Sequence, residues 1–163
     1  MNGEDVSGVR GRAPLVLIVD DYPDAQCAYG LCMRRAGYRV AFASSGEEAV
    51  AKARSLHPEA VIMDLFLRGS DGWTATSVIR SDPSLEDVCV VAMSGSSEPK
   101  VERLAYECGC DLFVSKACPV EALLSILHGL IAKTEVTVAS GARLRAAVAH
   151  QAPLHEEREQ STG

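Results

Sequence analysis

The chain has 163 residues, 47% of them hydrophobic and 23% charged, which is enough apolar material for one ordinary globular domain with a real core. Its 22 acidic residues against 16 basic ones leave a net charge of −6, which argues against sequence-independent nucleic-acid binding through a basic face. No apolar stretch approaches membrane-spanning length and the opening "MNGEDVSGVRGRAP" holds no apolar secretion segment, so a cytoplasmic location without membrane insertion is expected.

The six cysteines (Cys27, Cys32, Cys89, Cys108, Cys110, Cys118) then read as free thiols used as small apolar residues. Aromatics make up only 5%, so the core must be built mainly from Val, Ile, Leu and Ala.

Residues 1–13 are polar, Gly-rich and aperiodic, and read as a flexible lead-in. "LVLIV" (15–19) is a continuous apolar run of strand length, the pattern of a strand buried on both faces. "DAQCAYGLCMRRAGY" is helical: Ala25, Ala28, Leu31, Cys32 and Ala36 recur at helical spacing, Asp24 is the expected cap, and Gly37 the stop. "RVAFA" is a short second strand. "SGEEAVAKARS" opens on a capping box, Ser45 to Glu48, and starts a second helix. "AVIMD" is a third strand ending at Asp64, and a loop with Gly69 and Gly72 leads into the helix "WTATSVIRS". "VCVVAMS" is a fourth strand ending at Ser94. "EPKVERLAYECG" is a fourth helix with Pro99 in its first turn and Gly109 beyond its end. "DLFVS" is a fifth strand, and "PVEALLSILHGLIAK" a fifth helix beginning at Pro119 and ending at Lys133.

Five βα units imply one domain over 14–133, a parallel sheet covered by helices on both faces. Residues 134–163 break the alternation and are expected to be a tail, disordered or carrying one short helix over "ARLRAAVAHQ".

Ligands of open parallel sheets bind beyond the carboxyl ends of the strands, so the residues standing there matter most. Strand one ends in Asp20-Asp21, strand three in Asp64, strand four in Ser94 and strand five in Lys116. One such residue is unremarkable, because loops are wet. Three carboxylates, a hydroxyl and an ammonium on a single sheet edge are a chemical set. Packed carboxylates repel one another unless a positive group intervenes, and a hard divalent cation such as Mg²⁺ (or Mn²⁺) does this well with oxygen ligands. A lysine and a hydroxyl beside them suit a phosphoryl group. Asp64, alone on the third strand, is the best candidate for a carboxylate nucleophile, and the Asp20-Asp21 pair suits the metal.

The pieces "VDD" (19–21), "MDLFLRGSDG" (63–72), "MSG" (93–95) and "FVSK" (113–116), in that order and spacing, resemble the receiver domain of two-component response regulators. The resemblance spans about residues 15–133. It implies a flavodoxin-like (βα)₅ doubly wound α/β fold with a five-stranded parallel sheet in the order 2-1-3-4-5. It implies Asp64 as phosphoacceptor, Asp20 and Asp21 as the acid pair holding Mg²⁺, and the Phe66 backbone carbonyl as a further metal ligand. It also implies Ser94 as the switch hydroxyl, Phe113 as the switch aromatic and Lys116 as the phosphoryl partner. The donor would be a sensor histidine kinase or a histidine phosphotransfer protein. The chain would then be a single-domain regulator, not an enzyme, reporting through the surface of its fourth helix, fifth strand and fifth helix to another protein.

Four positions depart from the commonest family pattern. Ala117 stands where proline usually follows the lysine, often with a cis peptide, and both isomers of the Lys116–Ala117 bond remain open. Leu67-Arg68 replace the usual Met-Pro. Phe113 lacks the hydroxyl of the tyrosine found in many members. Phe66 sets a bulky side chain beside the phosphorylation site, where it is expected to hinder an attacking water.

Other features read more simply. Cys108 and Cys110 are too few for a zinc site and are expected to pack. The histidines His57, His128, His150 and His155 are scattered, Trp73 is expected to pack the start of the third helix, and Glu47-Glu48 belong to a cap. Lys100, Arg103 and Glu121 read as solvated charge. Two other functions stay open: a phosphate-independent pseudo-receiver scaffold, and an aspartyl-nucleophile phosphohydrolase. The second is weakened because haloacid-dehalogenase-like enzymes want Asp-x-Asp where this chain has Asp20-Asp21-Tyr22-Pro23.

Overall fold

The computed structural model describes residues 12–140. The expected lead-in before Arg12 and the tail beyond Ser140, including the short helix read at 142–151, lie outside the described residues. Five strands, β1 (Leu15–Val19), β2 (Arg39–Ala43), β3 (Ala60–Asp64), β4 (Cys89–Ser94) and β5 (Leu112–Ser115), form one parallel sheet in the order β2-β1-β3-β4-β5. They alternate with α1 (Pro23–Arg35), α2 (Gly46–Leu56), α3 (Gly72–Ser81), α4 (Pro99–Glu107) and α5 (Val120–Ser140). The order agrees with the expected fold class.

The three apolar runs without alternation, β1, β3 and β4, are the interior strands and are buried along their whole length. Each sends successive side chains to opposite faces. Leu17, Val19, Val61, Met63, Val90 and Ala92 pack with Ala49 and Ala53 of α2, Ala75 and Ile79 of α3, and Ala105 of α4. Val16, Ile18, Ile62, Val91 and Met93 pack with Met33 of α1 and Leu123, Leu127 and Ile131 of α5. The two cores therefore lie on either side of one sheet, as a parallel sheet requires. Edge strands β2 and β5 are only partly buried.

The helix starts follow local chemistry, with one correction. Ser45 caps α2 by accepting from the Glu48 amide, and the Glu48 carboxylate accepts from the Ser44 amide. Asp71, unremarked in the sequence, caps α3 by accepting from the Trp73 amide and the Thr74 hydroxyl. Asp24 does not cap α1. Tyr22 is the N-cap residue, with no side-chain bond, and Asp24 lies inside the first turn. The reason is Pro23: it stands at the first helical position, where its fixed φ favours the helix and its missing N–H leaves one orphan fewer. At the other end of the chain, α5 continues to Ser140, past the expected end at Lys133. The segment 134–140 holds neither glycine nor proline, so nothing local stops the helix there. Pro83–Leu85 form a short 3₁₀ turn between α3 and β4 that the sequence reading did not foresee. No helix among the described residues is long and apolar enough to cross a membrane.

Candidate functional site

Parallel pairing brings the carboxyl ends of β1, β3, β4 and β5 to one edge. Ser94 and Ser115 are register partners there, and Asp64 pairs with Met93. Lys116, just beyond β5, reaches across this edge. Its Nζ donates to Asp64 Oδ2 at 2.8 Å and to Asp20 Oδ2 at 2.9 Å. Both carboxylates are almost fully buried. Burial pulls the Lys116 ammonium down, but the bonds to Asp64 and Asp20 outweigh it and hold the group above the ordinary lysine value.

The two aspartates also order their own loops. Asp20 Oδ1 accepts from the Tyr22 amide at 2.9 Å, and Asp64 Oδ1 accepts from the Phe66 amide at 3.0 Å. Each carboxylate thus bonds an amide two residues on, the local geometry of an Asx turn. Gln26 Nε2 donates to the Asp20 carbonyl (2.6 Å) and the Ala43 carbonyl (3.0 Å), tying the end of β1 to the end of β2.

Asp21 behaves differently. Its Oδ2 accepts from Arg68 Nε at 2.7 Å and from the Arg68 amide at 3.3 Å. These bonds hold its carboxyl below the usual carboxylate range. Its other oxygen, Oδ1, is buried with no protein partner. Such an orphan is uncommon, because a buried polar atom left unpaired costs about 1–3 kcal/mol. Asp20, Asp21 and Asp64 each offer an oxygen, all within 4.8 Å of one another. The donor set is hard, oxygen-only and carboxylate-rich, and one of its oxygens lacks a partner. It fits Mg²⁺ or Mn²⁺ and not a thiolate-seeking metal.

The structure gathers Asp20, Asp21, Asp64 and Lys116 at one sheet edge; Phe66 adjoins them through its amide on Asp64, and Ser94 through its carbonyl, which accepts from the Lys116 amide at 2.8 Å. Ser94 is fully buried, and its hydroxyl accepts from the Ser96 amide at 3.0 Å. The Phe113 ring is partly buried against the core shared with α2, α3 and α4, and its amide donates to the Tyr106 hydroxyl of α4 at 3.3 Å. The Phe66 ring is turned outward, more than half exposed, and meets Trp73 edge-to-face at 5.8 Å between centroids. Trp73 packs on the same core, as expected from its place at the start of α3. The peptide bonds of the described residues are all trans, including Lys116–Ala117.

Two contributors escaped the sequence reading. Arg68 was visible only as an unusual residue, with no indication of its partner. Gly72, read as a loop glycine, is a packing requirement: a Cβ there would overlap the Asp64 carbonyl oxygen and come 2.9 Å from Leu65 Cα. The start of α3 is thereby pressed against the backbone that carries Asp64. The sequence pattern Gly69…Gly72 held the only signal of this close approach. Cys110, half of the Cys-Gly-Cys pair, is a core residue whose thiol burial pushes up to about 12, so packing is its role.

The chain matches the response regulator receiver domain family over residues 16–128. It is 28% identical over 122 residues to the DNA-binding dual master transcriptional regulator RpaA of Synechocystis, covering 75% of this chain and 51% of that one. It is also 28% identical over 128 residues to the transcriptional regulatory protein PrrA of Mycobacterium tuberculosis, covering 78% of this chain and 54% of that one. The chain thus spans about half the length of the curated relatives it matches. Among solved structures it superposes on the receiver domain of sensor histidine kinase PA1611 from Pseudomonas aeruginosa PAO1, determined with a magnesium ion coordinated in the active site cleft. That match has a TM-score of 0.69 and 26% identity and covers 74% of this chain and 99% of that one.

Proposed function

The chain belongs to the response regulator receiver domain family, and on that premise we propose that it is a phosphorylation switch whose acceptor is Asp64. The donor is a phosphorylated histidine on a sensor kinase or a histidine phosphotransfer protein. An Asp64 carboxylate oxygen attacks the phosphorus. The P–N bond breaks, its electron pair stays on the donor imidazole, and an acyl phosphate is left on Asp64. Lys116, hydrogen-bonded to Asp64 in the resting protein, pairs with a phosphoryl oxygen as charge builds there. Asp20, Asp21, Asp64 and the Phe66 backbone carbonyl are the residues that would hold Mg²⁺ or Mn²⁺, and the bound metal would neutralise charge on the transferring group. The protein is a phosphoacceptor and not a turnover enzyme.

The new charge of about −1.5 to −2 then draws the Ser94 hydroxyl from the Ser96 amide, and Phe113 follows. The surface formed by α4, β5 and α5 changes and is read by another protein. Phe113 is well placed for this role because its amide is already bonded to Tyr106 of α4.

One observation carries the reading: a single lysine bridges two buried aspartates beside a third whose inner oxygen has no partner. Its test is incubation with acetyl phosphate and Mg²⁺ followed by intact-mass measurement. The wild-type protein is expected to gain one phosphoryl group and Asp64→Ala none. A gain that persists in Asp64→Ala overturns the assignment of the acceptor. No gain in the wild type favours a phosphate-independent scaffold, and steady turnover of a phosphate ester would favour the hydrolase.

A further inference from the structure

Asp21 is the one member of the carboxylate cluster that Lys116 does not reach. A second cation serves it. Arg68 donates from Nε and from its amide to Asp21 Oδ2. Its guanidinium carbon lies 4.4 Å from the centroid of the Tyr22 ring. The contact is a clasp. Tyr22 belongs to the segment between β1 and α1, and Arg68 to the segment between β3 and α3, so the pair joins the two loops that border the carboxylates. The clasp is also loose: the Arg68 side chain is 70% exposed, while that of Asp21 is only 8% exposed. A long, solvated cation therefore sits on a buried carboxylate from outside, while the inner oxygen of that carboxylate is unpartnered.

Two opposite consequences are conceivable for an entering metal ion. The arginine could orient Asp21 and so assist, as outer hydrogen-bond partners of metal ligands commonly do. Or it could compete, because its positive charge lowers the attraction of Asp21 for a second cation. The backbone on the amino side of Asp21 is already held without Arg68. Asp20 is locked by its bonds to Lys116 and the Tyr22 amide, and the backbone leading to Asp21 is tied down through Gln26. The marginal effect of Arg68 is then its charge, at hydrogen-bond distance from one oxygen of the same carboxylate. Three carboxylates facing two cations leave the cluster with one net negative charge, whereas without Arg68 it would carry two.

We propose that Arg68, held by the Tyr22 ring, is a built-in competing cation that weakens divalent-metal binding at Asp20, Asp21 and Asp64. This rests on the reading of that cluster as a metal site. The pocket then exchanges its metal readily, and a partner that draws Arg68 off Asp21 would tighten it.

The test is isothermal titration of the intact chain with MgCl₂ and with MnCl₂ at low and high NaCl, for wild type, Arg68→Ala and Tyr22→Ala. Arg68→Ala is expected to bind about fivefold more tightly at low salt, the scale of one exposed ion pair. The advantage should shrink toward molar NaCl, because the field of an exposed charge is screened over a few ångströms there. Tyr22→Ala should tighten binding by a smaller factor, since it frees the guanidinium without removing it. Equal or weaker binding by Arg68→Ala overturns the proposal and makes Arg68 a neutral or orienting residue. If neither wild type nor Arg68→Ala takes up either ion while circular dichroism shows both folded, the metal reading itself falls, and this inference with it. That outcome is distinct from the first, in which the wild type still binds.

Discussion

Arg80 and Lys116 each hold a carboxylate at an edge of the same sheet, but at opposite edges. At the amino edge, Arg80 of α3 donates to the Gly109 carbonyl, the Val88 carbonyl and Asp111 Oδ2, just before β4 and β5 begin. Asp111 Oδ2 also accepts from the Val90 amide at 2.7 Å. One cation meets one anion, and the guanidinium spends its donors on fixed carbonyls. Gly109 itself completes the fit: its φ is +95°, and a Cβ there would press on Arg80 Cγ at 2.6 Å. At the carboxyl edge, Lys116 faces two buried carboxylates, a third lies within 4.8 Å, and one oxygen has no partner. Each carboxylate pair at that range repels by roughly 4 kcal/mol at an effective dielectric near 20. A balanced, satisfied cluster is a staple. An unbalanced one with an orphan oxygen is poised for a ligand.

The sharpest way to break this contrast is to remove each centre and measure stability by urea unfolding. Arg80→Ala strands two carbonyls and a carboxylate at the amino edge, and a cost of about 3 kcal/mol is expected. If it costs under about 1 kcal/mol, the amino-edge cluster is not a staple. Asp64→Asn at the carboxyl edge removes one bond to Lys116 but also relieves repulsion, while Asp20 still holds the lysine. Metal-free Asp64→Asn should therefore lie within about 1 kcal/mol of wild type. A loss as large as that of Arg80→Ala would mean the two edges do the same structural job.

The smallest effect belongs to an exposed pair that serves as a control. Asp82 accepts from Arg54 Nε at 2.7 Å, and this bond, with those to Ser84, lowers its carboxyl to about 2 from the ordinary 3.8. A carboxyl depressed by folding contributes stability that is present above its unfolded value and is lost as pH falls through the folded one. The difference in melting temperature between wild type and Asp82→Asn should thus be constant above about pH 4 and shrink toward pH 2. A difference that persists unchanged at pH 2 would show that the carboxylate charge is not its source.

Much of the fold was legible because its signals are local. The unbroken apolar run at 15–19 marked a strand covered on both faces, and the apolar runs at 60–63 and 89–93, each stopped by a polar residue, marked two more strands. Ser45 and Pro99 marked helix starts by chemistry that acts within one turn. Two local signals competed at the start of α1: Asp24 looked like a cap, but Pro23 began the helix two positions earlier than such a cap would have set it. The polar residues at the strand ends were equally visible, because loops begin where apolar runs stop.

What joins those residues was not visible. Lys116 meets Asp20 and Asp64 across 96 and 52 positions of sequence, and Arg68 meets Asp21 across 47. The sequence by itself determined five βα units and the chemical character of each strand end, because hydrophobic runs and caps depend on near neighbours. Only the tertiary structure decided that Lys116 spans two carboxylates, that Asp21 is left to Arg68 and that Gly72 must lack a side chain. Parallel register sets which strand ends adjoin, and side chains placed by that register meet at distances no local pattern encodes.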